Sequence, residues 1–175
     1  MSQLPDLHHP EYYLRPMVTS DAEAWYDYLA QAHVIEHTSW ALKSKDDLVK
    51  LIQLYNSGDV AAPIRFAFAR RLDGRLMGTV GFHTISPAHR TAELAFDFHP
   101  DCWGKGLALL CAQATIKWGF DTQDFVRIQA IVLDSNQRSR RVIEKCGMHF
   151  EGRCRNYRMV RGEPRACDLF AICPN

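Results

Sequence analysis

The chain has no apolar run near the ~18 residues needed to cross a membrane. Its start, Met1 to Tyr13, carries neither a basic cluster nor an apolar stretch, so no secretory leader is expected. Charge of one sign is lacking as well. The 21 Lys and Arg stand against 20 Asp and Glu, a net +1, which argues against bulk binding to nucleic acid or to an anionic membrane. The six cysteines, at 102, 111, 146, 154, 167 and 173, include no C-x-x-C pair and no metal-type spacing. Free thiols in a reducing cytoplasm are the expected state, and no resident metal is expected. Repeats, low-complexity tracts and domain linkers are missing too. A length of 175 residues with 47% hydrophobic and 23% charged residues fits a single domain over 1–175, large enough to bury roughly two-thirds of its unfolded surface.

What is present centres on Ala92 to Phe120. Leu94, Phe96 and Phe98 alternate within Thr91–Phe98, the mark of a half-buried strand. His99-Pro100-Asp101 breaks the strand, because proline cannot donate to a ladder. After Gly104-Lys105-Gly106, the residues Leu107, Leu110, Cys111, Ala114 and Trp118 fall at helical spacing and predict one apolar stripe. A glycine-rich turn feeding a helix leaves backbone N–H groups open at the positive end of the helix dipole, an anion site suited to a diphosphate. The nucleotide loops do not fit. A P-loop would need glycine at 99 and Ser or Thr at 106, which are His99 and Gly106; G-x-G-x-x-G would need glycine at 109, which is Leu109.

Upstream, Tyr12 to Met17 predicts a strand. Ser20 with Glu23 forms a capping box for a first helix through Trp25, Tyr28, Leu29 and Ala32. Ser44 with Asp47 repeats the device before a second helix through Leu48, Leu51, Ile52 and Tyr55. The polar-aromatic linker between them, 33 to 43, has no periodicity. Pro63 to Arg71 and Leu76 to Ile85 predict a hairpin about Asp73-Gly74, and Ser86-Pro87-Ala88-His89 leads into Thr91–Phe98. Downstream, Val126 to Leu133 is a strand. Asn136 to Cys146 is a helix with Ser139, Val142, Ile143 and Cys146 on one face and Gly147 as its C-cap. Two strands close the chain, around Met148–Met159 and Arg165–Ile172. The order β, α, α, three strands, α, β, α, β, β predicts an α/β (α+β) fold with a mixed sheet and helices on both faces.

Trp103-Gly104-Lys105-Gly106-Leu107-Ala108 resembles the Gln/Arg-x-x-Gly-x-Gly/Ala motif of the GNAT superfamily of acyl-CoA-dependent N-acetyltransferases, with tryptophan in the Gln/Arg position. Asn136-Gln137-Arg138-Ser139-Arg140-Arg141-Val142-Ile143-Glu144-Lys145-Cys146-Gly147-Met148 resembles that family's N-x-x-S-x-x-[LV]-x-E-K-x-G-F, with Met148 for the final Phe. Together with Arg161-Gly162 and Asp168-Leu169-Phe170-Ala171 it is similar to the Rim-type branch, which acetylates ribosomal-protein N-termini, other peptides or small amines. The resemblance covers essentially the whole chain and implies a mostly antiparallel sheet of about six to seven strands. It implies acetyl-CoA as co-substrate, an amine as acceptor, and no nucleic acid or membrane partner; a homodimer is admitted.

It also implies site residues. The turn Trp103 to Ala108, with Lys105, receives the pyrophosphate, and Lys145 a CoA phosphate. Backbone groups at Ala95, Phe96 and Asp97 hold the pantetheine and polarise the carbonyl, and Asn136 bonds the pantetheine arm. Glu93 is the candidate base, or else pairs with a nearby lysine or arginine. Ser139 donates to the CoA sulfur, or else bonds a helix carbonyl. The tyrosine acid of many relatives is replaced by Ile143. His37 and Trp40 of the linker face the acceptor. Two other readings stay open: a CoA-binding module without turnover, and a zinc hydrolase built on His33-Val34-Ile35-Glu36-His37, an H-x-x-E-H sequence.

Overall fold

A computed structural model describes residues 4–174; Met1–Gln3, part of the stretch read for a leader, lie outside them. Strands β1 (Tyr12–Pro16), β2 (Ile64–Arg70), β3 (Leu76–Ser86) and β4 (Thr91–Phe98) follow one another antiparallel. They continue into β5 (Arg127–Leu133), β6 (His149–Val160) and β7 (Glu163–Ile172) in the sheet order β1-β2-β3-β4-β5-β7-β6, seven strands in all. One neighbouring pair, β4 with β5, is parallel, as the intervening helix requires. The remaining neighbours are antiparallel, so the mostly antiparallel sheet expected from the sequence is what forms.

Helices α1 (Asp21–Leu29), α2 (Ala32–Ile35) and α3 (Lys45–Tyr55) precede the central meander, and α4 (Leu107–Thr122) and α5 (Gln137–Lys145) follow it. A single 3-10 turn, Pro100–Cys102, joins β4 to the glycine turn. Of the apolar clusters among the described residues, two pack helices onto the sheet. Trp25, Tyr28, Leu29, Leu48 and Ile52 of α1 and α3 pack with Ala67 and Leu76. Cys111, Ala112, Ile116 and Trp118 of α4 pack with Phe66, Phe82, Leu94, Phe98 and Ile128.

Several expectations are corrected. The 33–43 linker begins with α2, a single turn too short to leave a periodic signature. Ser20 does not cap α1: its own backbone is helical and its side chain makes no cap bond. Asp21 instead accepts from the Val18 N–H at 2.8 Å and pairs with Arg15 at 2.7 Å, tying the turn before α1 to β1. At α3, Asp47 accepts from the N–H groups of Ser44 and Lys43, at 3.3 and 2.9 Å, and these bonds hold its carboxyl below the usual range. β4 is not half-buried, because Ala92 and Glu93 are covered as fully as Leu94. The buried face of α4 turns toward Ala112, Thr115, Ile116 and Gly119, leaving Leu110 and Ala114 at its border. Gly119 permits that close seat, since a β-carbon there would stand 2.7 Å from the Phe82 ring.

Candidate active site

The parallel pairing of β4 and β5 lasts three residues, Thr91 to Glu93 against Arg127 to Gln129. Beyond it β5 pairs only with β7, through Leu133. From Leu94 onward, therefore, the β5-facing edge of β4 has no strand partner, and its peptide groups are open to a ligand. The cleft so formed is a cavity of about 430 Å³. Along β4 it runs past Glu93, Ala95, Phe96 and Asp97. Asn136, Ser139, His37, Trp40, His83 and Arg158 also line it. The residues expected to act on the carbonyl, the sulfur and the acceptor thus share one space, although they come from four regions of the chain.

Glu93 is 4% exposed. Its Oε1 accepts from Arg158 Nη2 at 3.0 Å and lies 3.2 Å from His83 Nε2. Its Oε2 has no hydrogen-bond partner among the described residues. A buried carboxylate persists when it is paired and hydrogen-bonded, so the pairing offered as an alternative role is present, and one oxygen is still left over. His83 sits across from Glu93 in the β3–β4 register, just before a bulge at which Thr84 has φ 53°. Neither His83 nor Arg158 was singled out from the sequence.

On the α5 side, Asn136 caps the helix. Its Oδ1 accepts from the Ser139 N–H at 3.0 Å, and its Nδ2 donates to the His37 carbonyl at 3.0 Å. The amide therefore ties α5 to the linker while still lining the cavity. The Ser139 hydroxyl bonds no helix carbonyl among the described residues and is available to the cavity. His37 Nδ1 lies 3.3 Å from Ser135 Oγ, and Trp40 stands edge-on to Trp25.

The glycine turn lies beyond the cavity. Gly104 and Gly106 have φ of 74° and 75°, left-handed conformations that glycine adopts freely. A β-carbon on either would meet nothing within 4 Å, so the space above the turn is open. The first helical bond is Leu110 N–H to the Gly106 carbonyl, at 3.1 Å. The N–H groups of Leu107, Ala108 and Leu109 thus face outward at the helix N-terminus, where an anion is favoured. The Leu107 side chain is buried, leaving its backbone as the part able to contact a ligand. Trp103 donates from Nε1 to the Phe98 carbonyl at 2.9 Å, and the Arg138 guanidinium lies 4.7 Å from its ring centroid. Lys105 and Lys145 are exposed.

The H-x-x-E-H residues do not gather. α2 ends at Ile35, before the sequence is complete; His33 packs edge-on to Trp103 and His37 faces Ser135. No cluster of three or more His, Cys, Asp or Glu among the described residues is placed to hold a metal.

An acetyltransferase (GNAT) domain family matches residues 12–149. The chain belongs to the GNAT acetyltransferases. Members move an acetyl group from acetyl-CoA to an amine, and the open strand edge and glycine turn fit that co-substrate. This GNAT chain is 29% identical to the uncharacterized N-acetyltransferase YoaA of Bacillus subtilis (strain 168), over 91% of each chain. Its fold matches the ribosomal-protein-S5-alanine acetyltransferase of Vibrio fischeri, with a TM-score of 0.81, 20% identity and coverage of 95% of this chain and 94% of that one. The spermidine N-acetyltransferase of Vibrio cholerae, in complex with CoA and spermine, also has a TM-score of 0.81, at 22% identity over 94% of this chain and 96% of that one. A ribosomal-protein-alanine acetyltransferase and a spermidine acetyltransferase thus share this fold, and the acceptor must be argued from the side chains.

Changing Gly106 to Val should raise the acetyl-CoA dissociation constant at least ~10-fold. A β-branched residue at positive φ is strained, and its side chain enters the open space above the turn. That strain should also lower the melting temperature by a few degrees, since a non-glycine residue at positive φ costs about 1–2 kcal/mol, and affinity is compared well below the transition. Calorimetric titration would check this, and undiminished affinity would place the phosphate site elsewhere.

Proposed function

We propose that the protein acetylates a primary amine, a peptide or protein N-terminus or a small molecule, by direct transfer within a ternary complex. The observation that carries this reading is the gathering of Glu93 and Ser139 in one cavity beside the unpaired edge of β4. Acetyl-CoA supplies the acetyl thioester. Glu93 Oε2 takes a proton from the acceptor amine, directly or through water, because most of such an amine is protonated near neutral pH. The amine nitrogen bonds the acetyl carbon as the carbon–sulfur bond breaks, and the electron pair leaves on sulfur. Backbone N–H groups of β4 beyond Glu93 meet the charge growing on the carbonyl oxygen. The second proton leaves the nitrogen as the amide forms and is taken up by the departing thiolate, directly or through water, while the Ser139 hydroxyl donates a hydrogen bond to that sulfur. His83, with a side chain 35% exposed, gives the buried carboxylate an outlet to solvent. Arg138, stacked on Trp103, brings a cation to the turn where the family motif has Gln or Arg. Lys105 and Lys145 add charge for the CoA phosphates.

A covalent acetyl-cysteine route has little support. No cysteine lines the cavity. Burial pushes the Cys102 thiol up to about 11 and the Cys146 thiol up to about 12, and raises Cys111 and Cys167 as well, so these four are poor nucleophiles near neutral pH. We place the protein in the cytoplasm, where its six free cysteines would stay reduced. Intact mass after exposure to acetyl-CoA alone should be unchanged, and initial rates with both substrates varied should give intersecting reciprocal plots. An acetylated enzyme that passes its group to an amine, lost together with activity in one Cys→Ser variant, would overturn the ternary-complex reading.

A further inference from the structure

Two carboxylates line the cavity, Glu93 and Asp97. Both are already matched. Asp97 accepts from Trp25 Nε1, the Tyr28 hydroxyl, Thr79 and the Arg65 guanidinium. Glu93 lies between Arg158 and His83. Beyond the Glu93 oxygen that receives the amine, an acceptor with further ammonium groups would therefore find no carboxylate without an arginine partner in the cavity, and each added cation would lie near two guanidinium groups, which costs binding.

Arg158 stands differently. It follows a bulge in β6 between Cys154 and Arg158, is 31% exposed in its side chain, and lines the cavity. Of its five N–H donors, only Nη2 has a hydrogen-bond partner among the described residues, Glu93 Oε1 at 3.0 Å. An amine delivered to Glu93 would hold its neighbouring carbon beside those spare donors. An oxygen on the next atom along, a carbonyl or a carboxylate, would complete the guanidinium fork.

We propose that Arg158 is a specificity-determining residue that binds a carbonyl or carboxylate oxygen attached to the acceptor's α-carbon, so that the acceptor is an α-amino acid or a peptide N-terminus and not a polyamine. This rests on Glu93 receiving the amine.

The test compares amines that share one side chain. Leucinamide carries the carbonyl, leucine the carboxylate, 3-methylbutylamine neither, and spermidine represents the polyamines. In the wild type, kcat/KM for leucinamide or leucine should exceed that for 3-methylbutylamine and spermidine by ~10-fold or more, as expected for a hydrogen bond to a charged donor. The amines differ in pKa, which the enzyme variant does not change, so the decisive quantity is how the ratio responds to substitution. In Arg158→Gln it should collapse toward parity, mainly through KM; Arg158→Lys, which keeps the charge and loses the fork, should fall between. Leucine against leucinamide separates a free amino acid from a peptide end. The same amines are titrated calorimetrically into the CoA-loaded protein. A binding preference lost in Arg158→Gln, with no acetylation of any amine, would reject the catalytic reading of Glu93 and uphold the acceptor class. Equal use of 3-methylbutylamine or spermidine by the wild type, or a ratio unmoved in Arg158→Gln, would overturn the proposal.

Discussion

Glu93→Gln should lower turnover by on the order of 10²–10⁴, the usual worth of a positioned general base, while leaving acetyl-CoA affinity close to wild type. Glutamine keeps the length of the side chain and an oxygen for Arg158, so the pair seen at 3.0 Å has a replacement and the cavity keeps its shape. What is lost is the ability to take a proton. The groups expected to hold the co-substrate, the glycine turn and the open edge of β4, are backbone and do not change. Activity should recover partly at high pH, where more of the acceptor amine is already neutral. Ser139→Ala should also slow turnover but leave the pH profile unaltered, since a serine hydroxyl does not titrate in that range. Steady-state rates across pH, with a melting curve for each variant, separate these effects. If Glu93→Gln matches wild type near neutral pH, the carboxylate serves only to hold Arg158 and His83. The proton then leaves through water or His37, which lines the same cavity.

How far this site could be read from the sequence depends on how local each signal is. The extent of the strand over Thr91–Phe98 was legible to the residue, because alternating apolar side chains mark its run and proline its end. The glycine turn was legible because only backbone with positive φ explains two glycines around a lysine before a helix. The helix over Gln137–Lys145 announced itself through the spacing of Ser139, Val142, Ile143 and Cys146 and the glycine that ends it. Contacts set by strand order left no such trace. Arg158 reaches Glu93 from a strand two places beyond β5, past a bulge that shifts its register. His83 was nearer to hand, being opposite Glu93 in a hairpin, but the irregular stretch before Ser86 hides that register.

Alternation also misled. It placed Leu94, Phe96 and Phe98 toward a core and left Glu93 and Asp97 on what looked like a wet face. Both carboxylates lie inside instead, each made tolerable by an arginine and further donors from distant parts of the chain. For Asp97 the sequence reading assigned only a backbone role. Its side chain turns out to join α1 to the sheet.

That junction leads to the second large effect. Asp97→Asn should destabilise the fold by roughly 3–5 kcal/mol, the range for breaking one side of a buried ion pair. The two carboxylate oxygens divide the work. Oδ1 accepts from Trp25 Nε1 at 2.9 Å and from the Tyr28 hydroxyl, and Oδ2 accepts from Arg65 Nη2 at 2.6 Å and from Thr79 Oγ1 at 2.8 Å. An asparagine must turn its NH₂ toward one of these sides. The hydroxyls of Tyr28 and Thr79 can rotate to accept, but the indole N–H and the guanidinium have nothing to accept with. Either orientation leaves a donor facing a donor, and both leave the buried Arg65 without its counter-charge. Arg65 also donates to the Ala95 carbonyl at 2.8 Å, so its displacement would disturb β4 at the edge where the co-substrate is expected to lie. For a chain of this size the loss corresponds to a melting temperature lower by on the order of 10 °C. Arg65→Met removes the stranded charge, so the double variant Arg65→Met with Asp97→Asn should be less destabilised than the sum of its parts, a coupling that a double-mutant cycle measures directly. Unfolding of Asp97→Asn within ~1 kcal/mol of wild type, or strict additivity in the cycle, would mean that α1 is held to the sheet by apolar packing of Trp25 and Tyr28 alone.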